Sequence, residues 1–297
     1  MLVSRFVMSL VVTGALLGGC AKPPSTQLEV SSFSARPVDR AVVTDTILPG
    51  SVPISKAQPM PMRVFSSTHL AGRTMAVAST TDIALRPGEV ILTFDDGPRP
   101  GRTNAILDTL DEYGVKATFL MLGRAAEAYP KMAQQVALRG HTVGSHTYDH
   151  TDLTTLTRQE ALDDFARGER AVAAALAGTG AAPAPFFRFP YLAQSGFLRT
   201  SMMQGNVVVL DVDIDSKDYY KDTPETVAAR TLARLDARGS GIILFHDIHA
   251  RTVAMLPGFL AELQARGYSV VRLAPKDTGI FGRDVITADG PTVRTTL

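Results

Sequence analysis

The sequence predicts a barrel-like or doubly wound α/β domain on about seven parallel strands. Three observations carry this expectation. Short runs rich in β-branched and aromatic residues alternate with longer stretches of helical period between residues 89 and 273. The strand runs are nearly all apolar, as in VILTF, VVVLDV and GIILF, which marks parallel strands covered on both faces. Gly114, Gly140, Gly239 and Gly267 each follow a helical pattern, where a residue tolerant of left-handed backbone is needed.

Taken in order, the first strand, 89–94, runs into Asp95-Asp96-Gly97-Pro98, and helix 103–113 stops at Gly114. Strand 117–121, helix 130–139 and strand 142–145 follow, the last leading into His146-Thr147-Tyr148-Asp149-His150. Helix 158–176 precedes strand 186–189, which carries Arg188-Phe189-Pro190-Tyr191. Strand 206–211 opens a carboxylate-rich stretch of Asp211, Asp213, Asp215 and Asp218-Tyr219. Helix 224–238 has a cap at Asp222 or Thr223 and proline in its first turn. Strand 241–245 leads to His246-Asp247, and helix 253–266 precedes the last strand, 268–273.

Composition excludes several classes. With 297 residues, 45% hydrophobic and 20% charged, the chain is of globular type and is neither disordered, collagenous nor coiled coil. A formal net charge of +1 offers no basic field, so no nucleic-acid partner is expected. A single cysteine excludes a disulfide framework and a cysteine-rich zinc module. No internal repeat is visible.

The amino terminus reads as an address. Arg5 precedes an apolar run from 6 to 17, a length suited to a secretory signal and too short to span a bilayer. Leu17-Gly18-Gly19-Cys20 resembles the lipobox of bacterial lipoproteins, which implies removal of 1–20 and lipidation of Cys20. Ala21 after the cysteine favours, by the same resemblance, the outer membrane, with the chain on the periplasmic face. Residues 21–86 hold seven of the eighteen prolines and many Ser and Thr, and read as an extended tether. Its later part, 60–84, is less polar and is a candidate extra strand. The last stretch, 276–297, is aperiodic and reads as a terminal extension, which leaves 87–275 as the catalytic domain.

Function in such folds collects at the carboxyl ends of the strands, and here those ends hold the polar residues. Five of the six histidines lie at 141–150 or 246–249. Adjacent carboxylates at Asp95 and Asp96 repel and need a compensating cation, for which Arg188 is the nearest candidate. His146 and His150, four apart, can aim two imidazoles at one metal, with Asp96 as a third ligand. Two histidines and a carboxylate with positions left for water describe a catalytic metal site. Zinc is the expected ion for hydrolysis, and the N/O ligand set also suits cobalt, nickel, manganese or iron. His246 is placed to act as a general acid, with Asp215 or Asp218 to accept from its other ring nitrogen and raise its pKa.

These residues resemble the polysaccharide deacetylases, carbohydrate esterase family 4. The five motifs appear in order, as 93–98, 146–150, 188–191, 215–219 and 244–246, over about two-thirds of the chain. The resemblance implies a distorted (β/α) barrel of seven or eight strands and hydrolysis of N-acetyl groups on an amino-sugar polymer, releasing acetate. It implies Asp95 as general base, Asp96, His146 and His150 as metal ligands, and His246 as general acid tuned by Asp218. Arg188 would pair with Asp95, the Tyr191 N–H would stabilise the oxyanion, and Leu244 belongs to the last motif. Tyr219 stands where the family commonly has Trp, and either ring can wall the acetyl pocket. Leu192 stands where glycine is frequent. His249 is equally suited to touching substrate or to a structural role. Rival readings are an acetyl-ester or small-molecule amide hydrolase of the same family, a non-haem iron oxygenase, and a lipoprotein that only binds glycan. The candidate glycans are peptidoglycan, chitin-like oligomers and exported poly-N-acetylglucosamine.

Overall fold

The computed structural model describes residues 69–276. Among them lie strands β1 (Ala71–Val77), β2 (Glu89–Asp95), β3 (Thr118–Met121), β4 (Thr142–Ser145) and β5 (Phe186–Phe187). Strands β6 (Val208–Val209), β7 (Ile214–Asp215), β8 (Gly241–His246) and β9 (Ser269–Pro275) complete the sheet. The helices are α1 (Arg102–Glu112), α2 (Gly123–Ala128), α3 (Pro130–Leu138), α4 (Arg158–Leu176), α5 (Gly196–Gln204), α6 (Pro224–Arg238) and α7 (Ala250–Ala265). Every strand pairing is parallel, as the apolar runs predict.

Seven strands follow one another in the order β7–β8–β2–β3–β4–β5–β6. The two ends of this arc, β6 and β7, are joined by residues 210–213, and no ladder pairs them. The connection is instead tied to both edges, Leu210 N–H donating to Phe187 C=O at 2.8 Å and Asp213 N–H to Ile242 C=O at 3.0 Å. This gap is the distortion of the barrel. It also explains why the predicted strand 206–211 shortens to two ladder residues.

Strand β9, predicted as a member of the ring, pairs along its length with β1 and meets β2 only at Glu89 and Val90. Strand β1 lies within 60–84, the part of the tether read above as a candidate extra strand, so the folded domain begins well before residue 87. Met75 and Val77 of β1 are buried against the same cluster as Val271 and Leu273. The rest of β1 is polar or small, which is why its pattern was weak. Gly72 is required there, because a Cβ would fall 2.9 Å from the Val270 carbonyl oxygen. Helices α2 and α5 were not predicted; they are short, six and nine residues, and depend on tertiary packing. Cap chemistry agrees with expectation at α6. Thr223 is the cap, accepting from the Thr226 N–H, while Asp222 pairs with Arg230 at 2.6 Å.

The pleat of β2 sorts its side chains. Val90, Leu92 and Phe94 join the large cluster beneath the helices, where Phe94 stacks on Phe119 and Phe245 at 5.1 and 5.7 Å. Ile91, Thr93 and Asp95 take the opposite face. Ile91 packs with Leu120, Phe186, Val208 and Ile242 in a separate apolar cluster. Along this inner face, then, the strand passes from apolar to polar towards its carboxyl end. On β8, Leu244 and His246 share the inner face with Ile242 by the same period.

Candidate active site

Among the described residues, six of the seven non-glycine residues with left-handed backbone lie at this end of the sheet: Asp96, Thr147, His150, Tyr191, Leu192 and Lys217. Each such conformation costs about 1–3 kcal/mol. Such strain gathers where chemistry dictates the chain path. At Asp96, φ of 77° breaks the strand alternation, so that Asp95 and the residue after it serve one site.

Asp96 Oδ1 lies 3.6 Å from His146 Nε2 and 3.5 Å from His150 Nε2. These three are a group able to hold a metal ion, with their ligand atoms all within 4.8 Å of one another. The donor set fits a divalent cation on three counts. Asp96 Oδ1 is buried with no hydrogen-bond partner among the described residues. His146 Nδ1 sits 2.7 Å from the Arg188 carbonyl, which can only accept, so Nδ1 carries the proton and Nε2 presents its lone pair to the cluster. Burial, then the neighbouring His146, holds His150 below the usual histidine range and favours its neutral, ligating form.

Asp95 is wholly buried and faces Arg188, whose Nη1 donates to Asp95 Oδ1 at 2.8 Å and to Thr93 Oγ1 at 2.9 Å. Arg188 is itself 1% exposed, and its Nε donates to Leu210 C=O at 3.0 Å. The guanidinium thus braces the inner face from β2 to the β6 edge. Asp95 Oδ2 points the other way, 3.9 Å from His146 Nε2.

His246 lies across the site. Its Nδ1 donates to Asp218 Oδ1 at 2.6 Å, and Asp218 Oδ2 accepts from the His246 N–H at 2.8 Å and from Thr252 Oγ1 at 2.6 Å. Of the two carboxylates considered from sequence, Asp218 therefore serves His246. Asp215 is taken by Tyr219, whose hydroxyl donates to it at 2.9 Å. Burial opposes charge on His246, but the Asp218 hydrogen bond and charge, aided by Asp96 and Asp95, raise it to about 9. The Tyr219 ring stands edge-on to His246 at 5.5 Å; burial and Asp215 push its hydroxyl up to about 12.

With this geometry in view, comparison with known proteins is direct. A model of the family described as polysaccharide deacetylase matches residues 83–208. A chitin deacetylase of Colletotrichum lindemuthianum is 33% identical over 181 residues, covering 57% of this chain and 71% of that protein. The chain belongs to the polysaccharide deacetylase family. Among solved structures, a peptidoglycan deacetylase of Bdellovibrio bacteriovorus superposes with a TM-score of 0.61 at 37% identity, covering 71% of this chain and 58% of that one. A peptidoglycan-N-acetylglucosamine deacetylase of Listeria monocytogenes is 33% identical over 171 residues, 58% of this chain. The chain spans only 35% of that relative's length.

The fold brings most of the predicted residues of this family member to one place. Tyr191 is 70% exposed, its ring centroid 4.5 Å from that of His150 in an edge-to-face arrangement. Leu244 is buried on β8, two residues before His246 on the same face. His249 is half-buried at the start of α7, its ring 5.7 Å from His246.

Five further residues shape the candidate site and were given no role from sequence. Thr93 shares a face with Asp95, two residues on, and was legible from strand period alone. Thr252 reaches Asp218 from the first turn of α7, which no local pattern shows. Asp247 is fully buried under the 95–98 loop; it accepts from Thr103 Oγ1 at 2.6 Å, and burial pushes its carboxyl up to about 7. Gly97 must be glycine, since a Cβ there would fall 2.1 Å from Asp247 Oδ2. Gly168 of α4 is the fifth. A Cβ at 168 would lie 2.5 Å from the Thr147 carbonyl carbon, so the helix backs directly on the loop that carries His146 and His150. Gly168→Ala is expected to lose about 1–3 kcal/mol through overpacking, measured by thermal unfolding, and to weaken metal binding as the loop shifts.

Proposed function

We propose that the protein is a metal-dependent N-deacetylase of an amino-sugar polymer, with zinc as the expected ion at Asp96, His146 and His150. The observation that carries this is the pairing of an Arg-braced buried carboxylate with an Asp-held histidine on either side of one cation-fitting cluster. A divalent ion bound there supplies Lewis acidity towards the acetyl oxygen and acidifies a water at neutral pH. Asp95 takes a proton from that water as its oxygen attacks the acetyl carbon. Arg188 provides the counter-charge that lets a carboxylate persist in so dry a position. His246 delivers its Nε2 proton to the departing nitrogen, the C–N bond breaks, and acetate and a free amine leave. The Tyr191 N–H serves as the protein's own oxyanion donor, and Tyr219 and Leu244 wall the acetyl methyl.

The direct test is acetate release by the full chain, stripped with chelator and resupplied with zinc or cobalt, on chito-oligomers, peptidoglycan and acetylated xylan. Metal-restored acetate from an amino-sugar substrate supports the reading. Acetate from xylan alone moves the chain to ester hydrolysis, and none from any substrate with metal bound leaves a glycan-binding protein.

The acid role has a pH signature. His246, raised to about 9, is protonated at neutral pH, so turnover is expected to fall as pH rises through that value. Asp218→Asn removes the main support, and the alkaline limb should move to lower pH; an unmoved limb removes His246 from the role. The same pair stabilises the fold. Its contribution from the histidine is complete below the ordinary value near 6.5 and is lost as pH rises through about 9. Asp218, held below the carboxylate range by His246 against the cost of burial, loses its share as pH falls through its lowered pKa.

We further propose that the enzyme is an exported lipoprotein anchored at Cys20, with 21–68 as spacer and the catalytic domain on the periplasmic face of the outer membrane. The supporting features lie at 1–20, outside the described residues; among the described residues no helix is long and apolar enough to cross a membrane. Cys20→Ser is expected to shift the protein from the membrane to the soluble fraction on cell fractionation.

A further inference from the structure

A groove of about 610 Å³ leads away from Asp96, His150 and Tyr191 along Arg99, Arg124 and Tyr129. Its two carboxylates, Asp96 and Asp149, balance its two guanidiniums, Arg99 and Arg124, in formal charge, but they are not all paired. Asp96 faces the two imidazoles, and Arg124 Nη1 is paired with Asp149 Oδ1, which also lines the groove, at 2.6 Å. Arg99 is exposed, and among the described residues its guanidinium has neither an ion pair nor a hydrogen bond. Its backbone is nevertheless fixed. The Arg99 N–H donates to Thr103 Oγ1 at 2.7 Å, and its carbonyl accepts from the N–H groups of Arg102 and Thr103 at 3.1 and 2.9 Å. Thr103 in turn rests on the buried Asp247. A free cation is thus presented from a rigid turn beside the cation-fitting cluster.

The other notable feature of the groove is aromatic. Tyr191 and Tyr129 are 70% and 45% exposed. Amphipathic rings of this kind stack on the apolar faces of sugars while their hydroxyls stay wet. Sugar-stacking faces together with one unpaired guanidinium suit a sugar that carries a carboxylate, the anion whose planar geometry the guanidinium matches.

We infer that this groove is a subsite for an acidic sugar adjoining the reacting residue, with Arg99 pairing its carboxylate, so that the enzyme prefers a carboxylate-bearing amino-sugar polymer to a neutral one. The inference rests on the deacetylase reading above and names the substrate class for it. Surface pairing of this type is modest in strength and yields selectivity rather than tight binding.

The test uses two tetrasaccharides of the same backbone, one of alternating N-acetylglucosamine and its lactyl-ether acid, the other tetra-N-acetylchitotetraose. Their affinities are measured by calorimetry on the full chain with metal bound and Asp95→Asn in place, and their KM values by acetate release from the unmodified chain. The acidic glycan is expected to bind several-fold better. Arg99→Gln should cut the acidic-to-neutral affinity ratio about three- to fivefold, Arg99→Glu should invert it, and Arg99→Lys should keep part of it. Raising salt from about 0.05 M to about 0.5 M should erode the preference. Equal affinities in the parent protein, or a ratio unmoved by Arg99→Gln, overturn the subsite even if acetate is released from both glycans. A preference that depends on Arg99 but comes without acetate from either glycan overturns the deacetylase reading and leaves the subsite standing.

Discussion

Asp95→Asn is expected to leave the metal in place and to lower acetate turnover by about 10²–10⁴-fold. The amide is isosteric and can still accept from Arg188 Nη1, so the geometry of the inner face survives. It cannot take a proton from water at any working pH. The substitution also strips the counter-charge from a guanidinium that is 1% exposed. Removing one partner of a buried pair costs about 3–5 kcal/mol, so a lower melting temperature should accompany the lost activity. Metal content by elemental analysis, acetate release and thermal unfolding separate these effects. A variant with full metal and near-parent turnover would remove Asp95 from the base role.

Asp96→Asn should lose metal and activity together. Asparagine is chosen because the position has φ of 77°, which Asn tolerates and alanine does not. The neutral amide is a poor ligand for a divalent cation, and the remaining pair, His146 and His150, lacks the charge to hold one tightly. Turnover is expected to drop by more than about 10²-fold, as loss of metal chemistry exceeds the 10–100-fold effect of outer-shell changes. Dialysis against zinc followed by elemental analysis should find the variant empty and the parent loaded. His146→Ala should behave alike, with an added stability loss because the Arg188 carbonyl then loses its Nδ1–H partner. A loaded, inactive Asp96→Asn protein would move the ligand set elsewhere.

Most of this site was legible before folding was considered, because its residues follow strands whose apolar runs mark parallel, doubly covered β-structure. A strand end in such a fold is where polar groups face a common cleft, so Asp95, His146, Arg188 and His246 were already grouped by position. Thr93 shows how far the logic extends: period 2 places it beside Asp95 with no further information. The same logic reached β1 only as a candidate strand somewhere within 60–84, without its bounds or partner. There only Met75 and Val77 of seven residues are buried, and the strand is held by its parallel neighbour β9, a pairing roughly 200 residues distant in sequence. That logic failed at α2 and α5, short helices of six and nine residues that depend on tertiary packing.

Periodicity and turn chemistry are local, and they decide which residues lie on which face, where each element stops, and which polar groups stand at the strand ends. They do not decide partners. Asp215 and Asp218 are three residues apart and carry the same side chain, yet one holds Tyr219 and the other His246. Arg188 meets Asp95 across 93 positions, and Thr252 reaches Asp218 across 34. Gly97 and Gly168 look like any other glycine until Asp247 and Thr147 are found pressed against them. Each of these choices depends on distances between strand ends and helix faces, which exist only once the arc from β7 to β6 has formed. The residue order thus settles the chemistry that is present, and the packing of non-local elements settles which groups meet and with what charge.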